Sequence, residues 1–164
     1  TTFAGGAARN VIVTTTGTGD NGKTNTIVGT DVFGDAQTEV ITSTGSAASV
    51  AGAKLFLTVT SVTSSAQFAA NIKVGSGTLC AQAVRGSMRI RIKGMSVVSG
   101  GTAGDVEFFN GTPESGTVLF KSRTIGTANT TVDRTIPSEG VLFNNGGSVK
   151  YTVDVADNIT VFFA

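Results

Sequence analysis

The chain has 164 residues, a formal net charge of +1 at pH 7 and only 14% charged residues, with 22 Gly, a single Cys, no His and no Trp. This composition removes most of the side chains from which enzymes build nucleophiles, proton shuttles and metal sites. A nearly neutral chain also disfavours nucleic acid and anionic membranes as partners, because neither would attract it strongly.

The first half of the chain alternates short apolar runs with turn residues and shows no helical period. Asp20-Asn21-Gly22 and Phe33-Gly34-Asp35 are predicted turns, and the small-residue stretch 43–52 is a predicted loop, because these residue types tolerate irregular backbone. The predicted strands of this half cover residues 10–16, 24–30, 37–42 and 54–63, with a weaker one at 68–74.

The second half continues the same pattern. Asn110-Gly111 and Asn145-Gly146 are predicted turns, and Pro113 and Pro137 also fall in turns, where a missing N–H breaks no ladder. The predicted strands here cover residues 87–93, 105–109, 117–123, 131–136, 148–155 and 158–163. Strands at this spacing predict an all-β fold, an antiparallel β-sandwich of jelly-roll or immunoglobulin-like type.

The chain is predicted to divide near residues 75–86, with two small sandwich units in tandem; a single large sandwich is the alternative. The predicted parts are an N-terminal arm at 1–9, an N-terminal β domain at 10–83 and a C-terminal β domain at 84–164. The C-terminal part contains about twice as many charged residues as the rest. The Ala/Gly-rich start is predicted to extend onto a partner, which makes Thr1, Thr2 and Phe3 candidate interface residues.

The strand predicted at 87–93 alternates cleanly between apolar and basic residues. Met88, Ile90 and Ile92 share one face, and Arg89, Arg91 and Lys93 share the other. Two interpretations remain open: a solvated outer face, or a basic stripe that docks on an acidic partner such as a neighbouring subunit. Nucleic acid is not favoured, because no aromatic residues interleave with these cations.

Several short motifs suggest chemistry that their context does not support. Residues 17–22 match the glycine spacing of a dinucleotide loop, but a strand and not a helix is predicted to follow, so a hairpin turn is expected. Asp154, Asp157 and Asn158 lack the spacing of a Ca²⁺ loop and predict a polar turn. No cofactor or metal is therefore expected.

Two further features are expected to have structural roles and no chemical ones. Asp105 and Glu107, two residues apart on a predicted strand, are expected on an outer face that leads into the hairpin at Asn110-Gly111. The lone Cys80 is expected to be a small buried apolar residue. No catalytic residue is predicted, and the chain is not expected to be an enzyme.

Residues 29–42, which read GTDVFGDAQTEVIT, are similar to a segment that recurs in tailed-bacteriophage virion proteins, in which a G-T-D strand turns through a Gly and returns as T-E-x-I. Residues 54–63 and 72–75 continue that pattern. The C-terminal half also resembles a common phage structural module, at residues 106–112, 116–120, 140–143 and 158–163. The resemblance implies a subunit of a phage particle and does not single out head, neck or tail.

Within that class, a head decoration or cement protein is favoured, bound to the major capsid protein or other virion proteins as a homo-oligomer, with a trimer favoured. The chain would be made in the host cytoplasm and become part of the virion, because residues 1–9 show no signal-peptide pattern. The alternatives are a neck or tail fibre component and, less favoured for want of aromatic platforms beyond Tyr151, a carbohydrate-binding sandwich.

Overall fold

A computed structural model describes residues 1–3, 6–45 and 47–164. Every regular element in that part of the chain is a strand, and the strand pairs are antiparallel, which confirms the predicted all-β class. The strands are β1 (Ala8–Thr15), β2 (Thr24–Thr30), β3 (Ala36–Thr42), β4 (Ser49–Phe56), β5 (Thr58–Ser64), β6 (Ile72–Arg85), β7 (Ile90–Ser99), β8 (Asp105–Asn110), β9 (Thr117–Arg123), β10 (Thr131–Thr135), β11 (Val141–Phe143), β12 (Gly147–Thr152) and β13 (Ala156–Phe163).

The chain forms two compact units, Thr1–Thr78 and Leu79–Ala164. Their boundary falls inside β6, a strand of 14 residues, and not in a linker. The predicted boundary region 75–86 is therefore largely regular strand, because Gly and Ser residues within it do not prevent extended pairing. The tandem pairing of two sandwiches stays a prediction.

In the first unit, one sheet has the order β3-β2-β5, and β1 lies between β4 and β6 in another. Alternation along β1 and β2 sends every second side chain inward. The inward side chains of both sheets meet in one core, which contains Val11, Val13, Ile27, Ile41 and Phe56. Burial of these side chains is the main favourable term for this unit.

Side chains of β3 close the outer edge of β4. Gln37 donates from Nε2 to the carbonyl of Leu55 at 2.6 Å. Oε1 of Glu39 accepts hydrogen bonds from the backbone N–H groups of Ala53 at 2.7 Å and Lys54 at 3.2 Å. Backbone groups that an edge strand would leave open are thus satisfied inside the chain.

The glycine-containing segment 17–22 joins β1 to β2 and is anchored by Asp20, which is fully buried. Oδ1 of Asp20 accepts hydrogen bonds from Nζ of Lys23 and the backbone N–H of Ala69, each at 2.8 Å, and the bond from Lys23 is the main cause of its lowered pKa. A strand follows, so no helix N-terminus exists to hold a pyrophosphate. The hairpin predicted at this segment is wrong, because β1 and β2 belong to different sheets.

In the second unit, β7 pairs with β10 and β11 on one side and with β13 on the other, and the other sheet runs in the order β6-β12-β8-β9. The rings of Phe108 and Phe120 pack with centroids 5.4 Å apart. Side chains of both sheets form one core, which contains Ile90, Ile92, Met95, Val97, Val106, Phe108, Phe143, Val149 and Val155.

Several predicted strand limits differ from the structure. Residues 54–63, predicted as one strand, form the end of β4 and all but the last residue of β5, because the chain changes sheet at Leu57, whose N–H bonds to the carbonyl of Thr30 at 2.8 Å. Stretch 43–52, a predicted loop, contains the start of β4, and β11 was not predicted. The predicted turns at Gly34 and Gly111 are confirmed, with φ of 91° and 106°.

Gly29 is a position at which the close approach of two strands requires glycine. A Cβ at residue 29 would collide with the backbone carbonyl oxygen of Thr58 on β5 and would reach the Phe56 ring. Gly29→Ala is expected to lower the free energy of unfolding by about 1–3 kcal/mol, because the β2–β5 ladder must shift. Gly75→Ala, on a strand with open space at that point, is the control and should change stability by no more than about 0.5 kcal/mol.

Chemical denaturation of the two variants measures both effects. Equal stability of Gly29→Ala and Gly75→Ala would contradict this account of the β2–β5 contact.

Candidate protein interface

The first residues of the chain pair with strand β5. The backbone nitrogen of Thr1 donates to the carbonyl of Val59 at 2.7 Å, and Val59 donates back to Thr1 at 2.9 Å. Thr2 forms a bridge with Thr58, and Phe3 packs on the core. Thr1, Thr2 and Phe3 are thus partly committed to their own unit.

The rest of the predicted arm is described only in part, and its end belongs to β1. Ala4 and Gly5 lie outside the described residues. Ala8 and Arg9 belong to β1, so the predicted limit of the arm at residue 9 differs from the structure. Ala7 and Ala8 are buried, because β1 is a core strand and not an appendage.

A small apolar cavity of about 250 Å³ lies beside these residues in the first unit. Its walls carry no charged side chain. It is lined by Thr1, Phe3, Val11, Val59, Val62, Val74 and Gly75.

The predicted basic stripe begins in a turn and continues on β7. Arg91 and Lys93 alternate with the buried Ile90 and Ile92, as the sequence predicts. The strand begins at Ile90, so Arg89 precedes it. The prediction that Met88 faces the core is wrong: its side chain is 57% exposed, because it lies in the turn before the strand.

The end of β13 lies beside the stripe. Arg91 and Ala164 exchange backbone hydrogen bonds of 2.8 and 2.9 Å, and Phe163 stands opposite Ile92. Phe162 stands opposite Gly94, on the side of the sheet away from the core. The two Phe side chains are 55% and 46% exposed. Because adjacent side chains of a strand point to opposite sides, Phe163 lies on the core side, and we call Arg91, Lys93 and Phe162 the basic–aromatic face.

Sequence reasoning identified the two cations of this face and missed Phe162, together with the neighbouring exposed Phe163. A signal existed, because two adjacent Phe residues on a strand point to opposite sides and cannot both be buried in one core. The glycine opposite Phe162 could not be found from the sequence, since strand register is set by the fold.

The cations of the stripe lack acidic partners. In the part of the chain that the structure describes, no carboxylate lies within ion-pair distance of Arg89, Arg91 or Lys93. Nζ of Lys93 donates instead to the carbonyl of Ser138 at 3.2 Å. Their positive charge is therefore available to a partner.

The other sheet of this unit shows the opposite arrangement. Nζ of Lys121 lies 2.7 Å from a carboxylate oxygen of Asp105 and 3.5 Å from one of Glu107. Lys150 lies 3.2 Å from Glu107, and Arg123 lies 3.3 Å from Asp105. The hydrogen bond from Lys121 is the main cause of the lowered pKa of Asp105. Asp105 and Glu107 lie on the outer side of the strand before the Asn110-Gly111 turn, as predicted, and are already paired.

The remaining candidate sites contribute no chemistry. Asp154 lies in the turn between β12 and β13, whereas Asp157 and Asn158 belong to β13, so the polar turn predicted from these three residues is wrong for the last two. The described residues contain no cluster of His, Cys, Asp and Glu that could hold a metal ion. Cys80 is buried, as predicted. Among the described residues, no helix has the length and apolar character needed to cross a lipid bilayer.

Comparison with known proteins returns no match, whether to family models, to curated proteins or to solved structures. The functional interpretation therefore depends on the residues themselves and on the resemblance noted in the sequence.

Proposed function

We propose that this protein is a non-enzymatic structural subunit of a bacteriophage virion, a decoration or cement protein bound to the major capsid protein lattice of the head. The observation that supports it most is the basic–aromatic face, in which an exposed ring and cations with no acidic partner among the described residues share one side of a sheet. The sequence resemblance supplies the class of particle.

The composition of this face suits a protein partner. Aromatic residues and Arg are enriched in protein interfaces, because they bury a large area and bind carboxylates in a directed way. Arg91 and Lys93 protrude from the same strand whose Ile90 and Ile92 are locked in the core, so their positions are fixed before binding. The backbone would gain little order on association, although the long side chains would lose rotamer freedom.

The stripe favours an acidic partner surface. Among the described residues, Arg89, Arg91 and Lys93 have no carboxylate partner and would gain one on association, whereas Lys121 and Lys150 already have theirs. A neck or tail fibre component is the second candidate, since the same face could stack subunits. A carbohydrate-binding role is less favoured, because the exposed Phe rings carry no polar group to orient a sugar.

The number of copies per particle tests the proposal and separates its two forms. Quantitative mass spectrometry of purified virions from the phage that encodes the chain should find hundreds of copies per particle, and antibody labelling should fall on the head. A handful or a dozen copies would support the neck or fibre form. Absence of the chain from purified particles would overturn the proposal.

Charge reversal tests the docking role of the stripe. Arg89→Glu with Arg91→Glu should weaken attachment to particles that lack the protein by several kcal/mol, because acidic groups would then face acidic groups. The control is Lys73→Glu with Arg85→Glu, the same change in net charge at exposed residues of β6. Attachment of the native chain should also weaken as salt rises.

Binding assays with purified particles at low and high salt measure this effect, and thermal unfolding checks that both double variants fold. Equal attachment by the two double variants would show that the stripe is only a solvated outer face.

A further inference from the structure

The outer edge of β13 presents free backbone groups. Among the strands of the described chain, β13 pairs only with β7. Both hydrogen-bonding groups of Ala164 point toward β7, because they bond to Arg91. The two groups of a residue in an antiparallel strand point the same way and alternate along it. The N–H and C=O groups of Phe163, Val161 and Ile159 therefore point away from the sheet.

The two irregularities in this ladder do not alter that assignment, since the first lies before Asn158. Between Phe162 and Phe163 the pairing on β7 moves from Gly94 to Ile92, so the extra residue belongs to β7. The alternation along residues 158–164 is consequently intact. Three residues of β13 thus offer donors and acceptors at one edge with no partner strand.

Other edge strands are covered or charged, except for the exposed and uncharged end of β5 beyond Val59. Gln37 and Glu39 cover β4, and Thr1 covers the start of β5. Charged side chains mark β9, with Lys121 and Arg123. Inserted charges and covering contacts are the usual means by which edge strands avoid pairing with other chains.

The edge of β13 has none of these protections. Residues 158–163 read NITVFF, with no charge and no Pro, and exposed Phe162 and Phe163 stand at their end. A strand of this composition is strongly predisposed to accept another strand.

We propose that β13 pairs antiparallel with β13 of a second copy of this chain, centred on Val161 and related by a two-fold axis. In this register Ile159 of each copy exchanges backbone hydrogen bonds with Phe163 of the other, so all three open residues are satisfied. Phe162 of each copy then covers Thr160 of the other on the outer side of the joined sheet.

Charge favours a second copy as the occupant. No like charges meet near the axis, because residues 158–163 are uncharged. Asp157 of each copy comes to the end of the sheet where the other copy carries Arg91, which has no acidic partner among the described residues of its own chain. In a contact between copies no like charges of these side chains meet, and opposite charges lie two strands, roughly 10 Å, apart at both ends.

This inference goes beyond the proposed function and does not require a virion, since the contact joins two copies in solution. It specifies a dimer where the sequence analysis favours a trimer, because antiparallel self-pairing of one edge strand joins two chains only.

Sedimentation equilibrium over a range of concentrations tests the proposal with the full chain. The native chain should form a reversible dimer. Phe162→Lys and Thr160→Lys each introduce like charges near the axis and should raise the dissociation constant roughly tenfold or more. Thr135→Lys is the matched control, because Thr135 stands opposite Gly94 on the β10 side of the same sheet and is also exposed.

Thr135→Lys should dimerise as the native chain does, and thermal unfolding should show all three variants folded. Two Lys variants are used so that one remains informative if the other fails to fold. A native chain that is monomeric throughout, a trimer, or an equal effect of Thr135→Lys would overturn the proposal.

Discussion

The need to satisfy backbone hydrogen bonds at sheet edges is the constraint on which this structure depends. The described chain contains no helix, so its strands must find partners for their peptide groups in other strands, side chains or water. Glu39 and Gln37 meet that need for β4, and Thr1 meets part of it for β5. The edge of β13 is left open and uncharged, which makes it the natural place for contact with another chain.

The basic–aromatic face is a consequence of how the second unit packs its core. Burial of Ile90 and Ile92 sends Arg91 outward, and the pairing of Phe162 with Gly94 places a large ring where the opposing residue has no side chain. Glycine is required at residue 94 for another reason, since a Cβ there would press on the carbonyl oxygen of Arg134 at 2.7 Å. Core packing and strand approach thus fix the exposed residues that the proposed function uses.

Local patterns predicted the local features of this fold. The alternation of apolar and polar residues predicted the bounds of β2, β8 and β9 nearly as the structure has them. Residues that favour turns predicted the turns at Gly34 and Gly111. Sequence reasoning failed where pairing partners are distant. The start of β4 consists of small residues, which predict a loop, and segment 17–22, predicted as a hairpin turn, connects strands of two different sheets. Of the candidate interface, Arg91 and Lys93 were found from alternation, whereas Phe162 depended on the register of β13 against β7.

Amide hydrogen exchange of β13, followed by nuclear magnetic resonance at low and high protein concentration, tests the central claim most directly. The N–H groups of Thr160 and Phe162 point toward β7 and should be protected at both concentrations. Those of Ile159, Val161 and Phe163 should exchange rapidly in the dilute chain and become protected when copies associate. Rapid exchange of these three amides at every concentration, or their protection in the monomer, would contradict an open edge that is filled by assembly.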